Sequence, residues 1–191
     1  VGAGPAGNNA ALELASRGFG VRVIDSRVNI GDKLCTGIIG VACARRFPLG
    51  SELVYHEARS AKLVTPEKAT LHFSVATSQA KIVDRVSYVA SFAHRAEAAG
   101  AIYNLGQRVT EISPEGSGVS IRTDQNHYRA RSVIIASGFG TPLTNQVGLG
   151  RAADYVTAVQ AEAAIGDEDQ VEIHLGQDVA PGFFSWIVPT R

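Results

Sequence analysis

Val1-Gly2-Ala3-Gly4-Pro5-Ala6-Gly7 opens the chain and continues through Ala11 and Gly18 into Val21-Arg22-Val23-Ile24-Asp25. Three glycines at this spacing are a weak signal by themselves. The longer run is specific, because each part meets a mechanical need of a strand–helix–strand unit holding the adenosine and diphosphate half of a dinucleotide. Gly2 permits the tight turn out of a strand, and Gly4 keeps no side chain between backbone and diphosphate. Gly7 and Ala11 are small where the helix crosses close to a sheet. The helix N-terminus offers unpaired N–H groups and a partial positive charge. Asp25, ending an apolar strand, is placed to accept hydrogen bonds from the ribose hydroxyls; a 2′-phosphate there would meet like charge. A chance glycine-rich loop before a helix is the competing reading, and it leaves Ala11, Gly18 and Asp25 without a reason.

Outward from this stretch, Ala10, Ala11, Leu14 and Ala15 have helical spacing from Ala6 to about Arg17, with Gly18 as the stop. A glycine-rich loop, Ser26 to Ile39, leads to a short helix from Gly40 to Phe47. Two β-rich pieces follow, Ala58–Val64 and Ala69–Val75, joined by a Thr65-Pro66-Glu67-Lys68 turn, then a short strand at Lys81–Val83. Ser87 to Ala99 is a helix with Val89, Phe92, Ala93, Ala96 and Ala99 on one stripe and Gly100 as its stop. A strand over Ala101–Leu105 precedes a meander of Arg108–Ser113, Val119–Thr123 and His127–Ala130. Val133-Ile134-Ile135-Ala136 reads as a buried parallel strand ending in the small-residue loop Ser137-Gly138-Phe139-Gly140. Antiparallel strands are expected at Tyr155–Ala161, Val171–Leu175 and Phe184–Val188.

This alternation predicts two interleaved domains: a nucleotide-binding part over residues 1–50 and 82–150, and a β-rich part over residues 51–81 and 151–191. Of 191 residues, 45% are apolar and 19% charged, as in a soluble globular protein. Eighteen basic and 18 acidic residues cancel, so no field points to nucleic acid. No apolar run approaches the roughly 20 residues needed to span a bilayer, and no secretory signal is visible. Two cysteines are too few for a disulfide framework, so reduced cytoplasmic thiols are expected. There is no methionine, and Val1 stands where the last residue of a first strand belongs. The sequence therefore reads as a piece of a longer chain.

The order of motifs resembles the flavoproteins built like p-hydroxybenzoate hydroxylase, and within them the geranylgeranyl reductase family, over essentially the whole chain. Lys33-Leu34-Cys35-Thr36-Gly37 is similar to that family's K-x-C-x-G loop. Asp84-Arg85 and the helix to Gly100-Ala101 are similar to its R-x-x-F-D helix. Pro181-Gly182-Phe183-Phe184-Ser185-Trp186-Ile187-Val188-Pro189 is similar to its P-G-x-Y-x-W-x-F-P stretch. Phe184 replaces a frequent Tyr, Val188 a Phe, Tyr88-Val89 the Phe-Asp pair, and Ser137 the Asp of A-D-G. The family's later G-D motif is expected to lie beyond Arg191.

The resemblance implies an α/β fold in which a Rossmann-like FAD-binding domain interleaves with an antiparallel β-sheet substrate domain, both incomplete here. It implies FAD as cofactor, delivering hydride to a carbon–carbon double bond of an isoprenoid or lipid-like substrate. The FAD-contacting set it implies is Gly2, Ala3, Gly4, Pro5, Ala6, Gly7, Asp25, Ser26, Arg27, Lys33, Cys35, Thr36, Gly37, Arg85, Val109, Ala136, Ser137 and Gly138. The electron donor, NAD(P)H or ferredoxin, is not encoded in any readable motif. A cytoplasmic protein with peripheral membrane contact is expected, and no nucleic-acid partner.

Phe184, Trp186 and Val188 share one face of a strand and form either an apolar wall for an isoprenoid chain or ordinary core. Cys35, between Lys33 and Thr36, is either a reactive thiol at the catalytic centre or an inert one. Cys43 is expected to serve packing. Arg85 meets a phosphate or the flavin, against the alternative of a surface salt bridge. Arg45-Arg46 reads as a solvated helix end, with lipid headgroups as the other option. No cysteine or histidine spacing supports a metal site, and the five histidines support no hydrolytic triad. Two other functions stay open. A flavin halogenase or monooxygenase is one, since Phe184-Ser185-Trp186-Ile187-Val188-Pro189 partly echoes W-x-W-x-I-P. A non-catalytic or truncated nucleotide-binding module is the other.

Overall fold

A computed structural model describes residues 1–164 and 169–190. In chain order the elements begin with α1 (Pro5–Ala15), β1 (Arg22–Ile24), β2 (Ile38–Gly40), α2 (Val41–Arg46) and a 3-10 turn at Ser51–Leu53. Next come β3 (Val54–Ala58), β4 (Ser60–Val64), β5 (Thr70–Ser74), β6 (Ala80–Val83) and α3 (Arg85–Ala98). The rest are β7 (Ile102–Asn104), β8 (Val109–Glu115), β9 (Gly118–Thr123), β10 (His127–Ala130), α4 (Leu143–Gln146), β11 (Val171–His174) and β12 (Ser185–Ile187).

The chain divides into two compact units, Val1–Lys33 with Val86–Asp154 and Leu34–Arg85 with Tyr155–Arg191. It therefore crosses between them near residues 33, 85 and 154, and not near 50, 81 and 150. The cause is local: Ile38–Gly40 pairs antiparallel with β6, which ties the segment before α2 to the second unit.

In the first unit β1 and β7 pair parallel, with Val23 opposite Tyr103. Helix α1 starts with Pro5, whose fixed φ and missing N–H suit a first turn. It buries Gly7, Asn8, Ala11 and Ala15, one stripe at helical spacing. Those alanines join Ala3, Val23, Ala96 and Ala101 in a core of small side chains, so helix and strand approach closely. Helix α3 buries Tyr88, Val89, Phe92, Ala93 and Ala96 and stops at Gly100, whose φ of +100° is left-handed. The meander β10-β9-β8 completes the unit as expected.

Two expected strands do not form. Val133–Ala136 has no strand ladder; its bonds go to Val1, which donates its amino group to Ile134 O and accepts from Ala136 N, each at 2.7 Å. One residue cannot sustain a ladder, and Ile134 is half exposed. Tyr155–Ala161 carries no regular element, and Val159 is almost fully exposed. Conversely, β2 and β3 were not anticipated.

The second unit holds the sheets β12-β11-β4-β5 and β2-β6-β3. Strand β11 pairs antiparallel with β12 but parallel with β4, so the larger sheet is mixed where antiparallel pairing was expected. Register fixes two faces. Trp186, Ile173, Leu63 and Leu71 lie in one row across the four strands. Glu172, His174 and Lys62 lie on the other face.

Glu172 is buried, accepting from Lys62 Nζ at 2.8 Å and lying 3.0 Å from His174 Nε2. The hydrogen bond from Lys62 holds its carboxyl below the usual range; burial opposes this and His174 supports it. A lowered folded pKa contributes stability that is full above the unfolded carboxylate range and is lost as pH falls through the folded value. Glu172→Gln should therefore cost about 1–3 kcal/mol at neutral pH, with the gap to wild type closing in acid. Thermal melts across pH check this; a pH-independent gap contradicts it. Among the described residues no helix is long and apolar enough to cross a membrane.

Candidate functional site

The glycine turn is built by close approach. Gly2 has a φ of +100°, and a methyl group there would strike the Ala136 carbonyl oxygen and lie 2.9 Å from Ser137 Cα. A methyl on Gly7 would collide with the Gly2 carbonyl oxygen. Around Gly4 there is open space, with no atom within 4 Å of a Cβ placed there. The first intrahelical bond of α1 runs from Asn8 N to Gly4 O at 2.9 Å. The N–H groups of Gly4, Ala6 and Gly7 thus precede the helical ladder, and Pro5 has none.

Asp25 organises this turn. Its Oδ2 accepts from Ala3 N at 2.6 Å and its Oδ1 from Arg27 N at 2.8 Å. Each carboxylate oxygen keeps a second lone pair and can accept a further hydrogen bond beside this structural one. Gly106 N donates to Arg27 O and Gln107 N to Asp25 O, each at 2.9 Å. This lays the approach to Val109, first residue of β8, along Asp25-Ser26-Arg27. Lys33 Nζ lies 3.5 Å from the position of a Cβ on Gly138. Ser137 Oγ is buried and has no hydrogen-bond partner among the described residues. A left-handed turn, open backbone at Gly4, unpaired first-turn N–H groups and an orphaned hydroxyl fit a dinucleotide's diphosphate. Gly2, Ala3, Gly4, Pro5, Ala6, Gly7, Asp25, Ser26, Arg27, Lys33, Ala136, Ser137 and Gly138 are the residues of this unit that would hold it.

In the second unit two distant motifs meet. Gly37 has a φ of +79°, accepts from Val83 N at 3.0 Å, and would place a methyl 3.6 Å from Arg85 Cβ. The cysteine loop therefore rests on the strand-to-helix junction that carries Arg85, the first residue of α3. Thr36 Oγ1 donates to Gln160 Oε1 at 2.9 Å. Cys35 is exposed. Cys43 is exposed as well, on the open side of a helix whose half-buried residues are Val41 and Ala44, so its expected packing role is corrected.

The β12 stripe divides. Val188 packs on the buried cluster of Ala58, Ile82 and Val171 and belongs to the core. Phe184 is 37% exposed and meets Trp186 edge-on, ring centroids 6.1 Å apart. Phe183 stacks on Phe184 at 4.2 Å. Ile173 packs on the same buried cluster as Val188; half-buried Leu63 and exposed Leu71 continue the row of these rings as a partly exposed apolar face.

Several residues were not singled out in the sequence. Asn8 is fully buried beneath the glycine turn, and its signal was a polar residue directly after Gly7 in a stripe otherwise small. Gln160 and the Lys62–Glu172–His174 group had no local signal, since their partners lie up to 124 residues away. Ser120 Oγ lies 2.6 Å from His127 Nε2, a pairing between neighbouring strands. The pair is exposed and has no orienting carboxylate among the described residues, so it forms no triad.

Known proteins share the family and the fold of this chain. The profile of the pyridine nucleotide-disulphide oxidoreductase family matches residues 1–171. Geranylgeranyl diphosphate reductase of Oryza sativa subsp. japonica is 26% identical over 99% of this chain and 45% of its own length. A geranylgeranyl bacteriochlorophyll reductase-like protein from Thermoplasma acidophilum superposes with a TM-score of 0.79 at 20% identity, covering all of this chain and 52% of that one. The halogenase PltM, solved with phloroglucinol and FAD, superposes with a TM-score of 0.60 at 18% identity over 77% of this chain and 35% of its own. The chain spans about half the length of the curated relatives it matches. Both structural likenesses show the fold. The expected α/β architecture with a Rossmann-like FAD-binding fold stands. The chain belongs to the pyridine nucleotide-disulphide oxidoreductase family, a family of FAD-binding oxidoreductases.

Proposed function

We propose that this chain serves an FAD-dependent reductase that saturates carbon–carbon double bonds of a geranylgeranyl or similar isoprenoid chain. The observation that carries the reading is the partly exposed apolar row of Trp186, Leu63 and Leu71, extended by Phe184 and backed by Ile173, which packs on the core cluster. An isoprenoid offers no hydrogen bonds, so recognition falls to apolar area, and aromatic rings supply much of it per residue. Bound flavin would supply the hydride. The protein's share is to hold the diphosphate on the glycine turn, to set Cys35 and Arg85 through the Gly37 contact, and to keep water from the apolar face. Cys35, exposed in a loop fixed by Thr36 and Gly37, is the candidate catalytic side chain. The 26%-identical rice reductase, similar over 99% of this chain, supports the substrate class.

NAD(P)H or ferredoxin supplies the electrons in this reading. The protein works in the cytoplasm, with peripheral contact to the membrane holding a lipid substrate. Exposed Leu34 and Ile38, with Arg45 and Arg46 closing the exposed helix α2, support that contact.

A halogenase is the second reading, favoured by the Phe184-to-Pro189 echo and by the PltM likeness. The Lys33-x-Cys35-x-Gly37 loop favours the reductase. Product analysis with oxygen, halide and a phenolic acceptor separates them: no halogenated product is expected, and its formation would reverse the choice.

A further inference from the structure

Asn8 is an amide with no exposed surface. Its Nδ2 donates to Ala3 O at 3.0 Å and to Val89 O at 3.3 Å, while its Oδ1 accepts from Tyr103 OH at 3.1 Å. The amide has only one workable orientation, because two carbonyls can only accept and the nitrogen must face them. Burial, with the charge of Glu97 adding to it, pushes the Tyr103 pKa up to about 12, so the phenol keeps its proton at working pH. One side chain thus ties the glycine turn to α3 and β7.

The consequence lies in a peptide plane. Ala3 is pinned at both polar groups, its N–H by Asp25 and its C=O by Asn8. The Ala3 carbonyl and the Gly4 N–H belong to one planar peptide, which is trans. In a trans peptide these groups point opposite ways. With the carbonyl held toward the buried amide, the Gly4 N–H is turned away from it. Gly4 has no side chain and open space beside it.

We infer that Asn8 is a positioning residue for diphosphate recognition: by holding the Ala3 carbonyl it aims the Gly4 N–H at the ligand's phosphate. This rests on the reading of the chain as a dinucleotide binder. It predicts a loss specific to phosphate, unlike a loss of packing, which would weaken every ligand of the site.

The test is calorimetric titration of the apoprotein with ADP and with adenosine. Asn8→Asp keeps the shape but loses both donors and sets a carboxylate against the Ala3 carbonyl. It should weaken ADP about tenfold or more, the order of one hydrogen bond to a charged group, and leave adenosine within about twofold. Tyr103→Phe keeps the amide but frees it to turn; it should weaken ADP about threefold and spare adenosine, and it decides the matter if Asn8→Asp does not fold. Equal losses for ADP and adenosine, or undiminished ADP binding in the folded variants, overturn the inference. A wild-type protein that binds neither ligand overturns the dinucleotide reading beneath it, and the inference with it.

Discussion

Gly7→Ala is expected to yield a protein without flavin and with much reduced stability. The added methyl group would occupy the same space as the Gly2 carbonyl oxygen and sit 3.4 Å from Ala136 Cβ. Neither neighbour is a flexible side-chain end, so helix and turn must separate. Overpacking of this kind costs about 1–3 kcal/mol, and more where backbone must move. Shifting the first turn of α1 also misplaces the N–H groups meant for the diphosphate, and flavin affinity should fall more than about 100-fold. Gly4→Ala provides the contrast. Its Cβ meets nothing, so the fold should keep its melting temperature while flavin content drops, because the methyl occupies the space left for the ligand. Melting curves and bound-flavin absorbance on both variants check the pair. Wild-type stability and flavin content in Gly7→Ala would contradict the geometry.

Trp186→Ala carries the second large effect. The indole lies half buried between Phe184 and the row of Ile173 and Leu63. A Trp side chain buries about 150–250 Å²; if substrate covers roughly half, the loss is about 2 kcal/mol at ~25 cal/mol per Å². The expected result is a KM for geranylgeranyl substrates raised about 30-fold, with flavin affinity unchanged, since the glycine turn holds that. Short-chain analogues should suffer less, having less surface to lose. Steady-state kinetics over a chain-length series reads this out. Equal losses at all lengths would mean that Trp186 supports the fold and not the chain. Val188→Ala should act differently: this side chain packs in the core cluster, so its truncation lowers stability and leaves KM near wild type.

What the sequence revealed follows a physical line. Helices α1 and α3 were legible because their buried stripes repeat at helical spacing and each ends at a left-handed glycine. The glycine turn was legible because sterics leave no other residue at Gly2 and Gly7. The meander showed alternation and a turn at Gly116. Strand β3 was hidden because Val54-Tyr55-His56-Glu57-Ala58 is neither alternating nor uniformly apolar, and its pairing with β6 is shifted by an irregularity. Val133–Ala136 has strand composition, but a strand exists by pairing, and among the described residues its backbone bonds run to Val1 alone. The crossing at residue 33 could not be read because it depends on Ile38–Gly40 finding β6 some 40 residues later. Asn8 was visible only as an unexplained polar residue; its partners, Val89 and Tyr103, become neighbours when α3 and β7 pack.

The proposal that flavin held by this protein reduces an isoprenoid chain is the central claim to test. Flavin bound to the protein is reduced under anaerobic conditions and mixed with geranylgeranyl diphosphate, following the flavin spectrum and the mass of the isoprenoid. The expected result is reoxidation of the flavin with two hydrogens added to the chain for each flavin oxidised. A flavin that stays reduced beside unchanged isoprenoid would contradict the account.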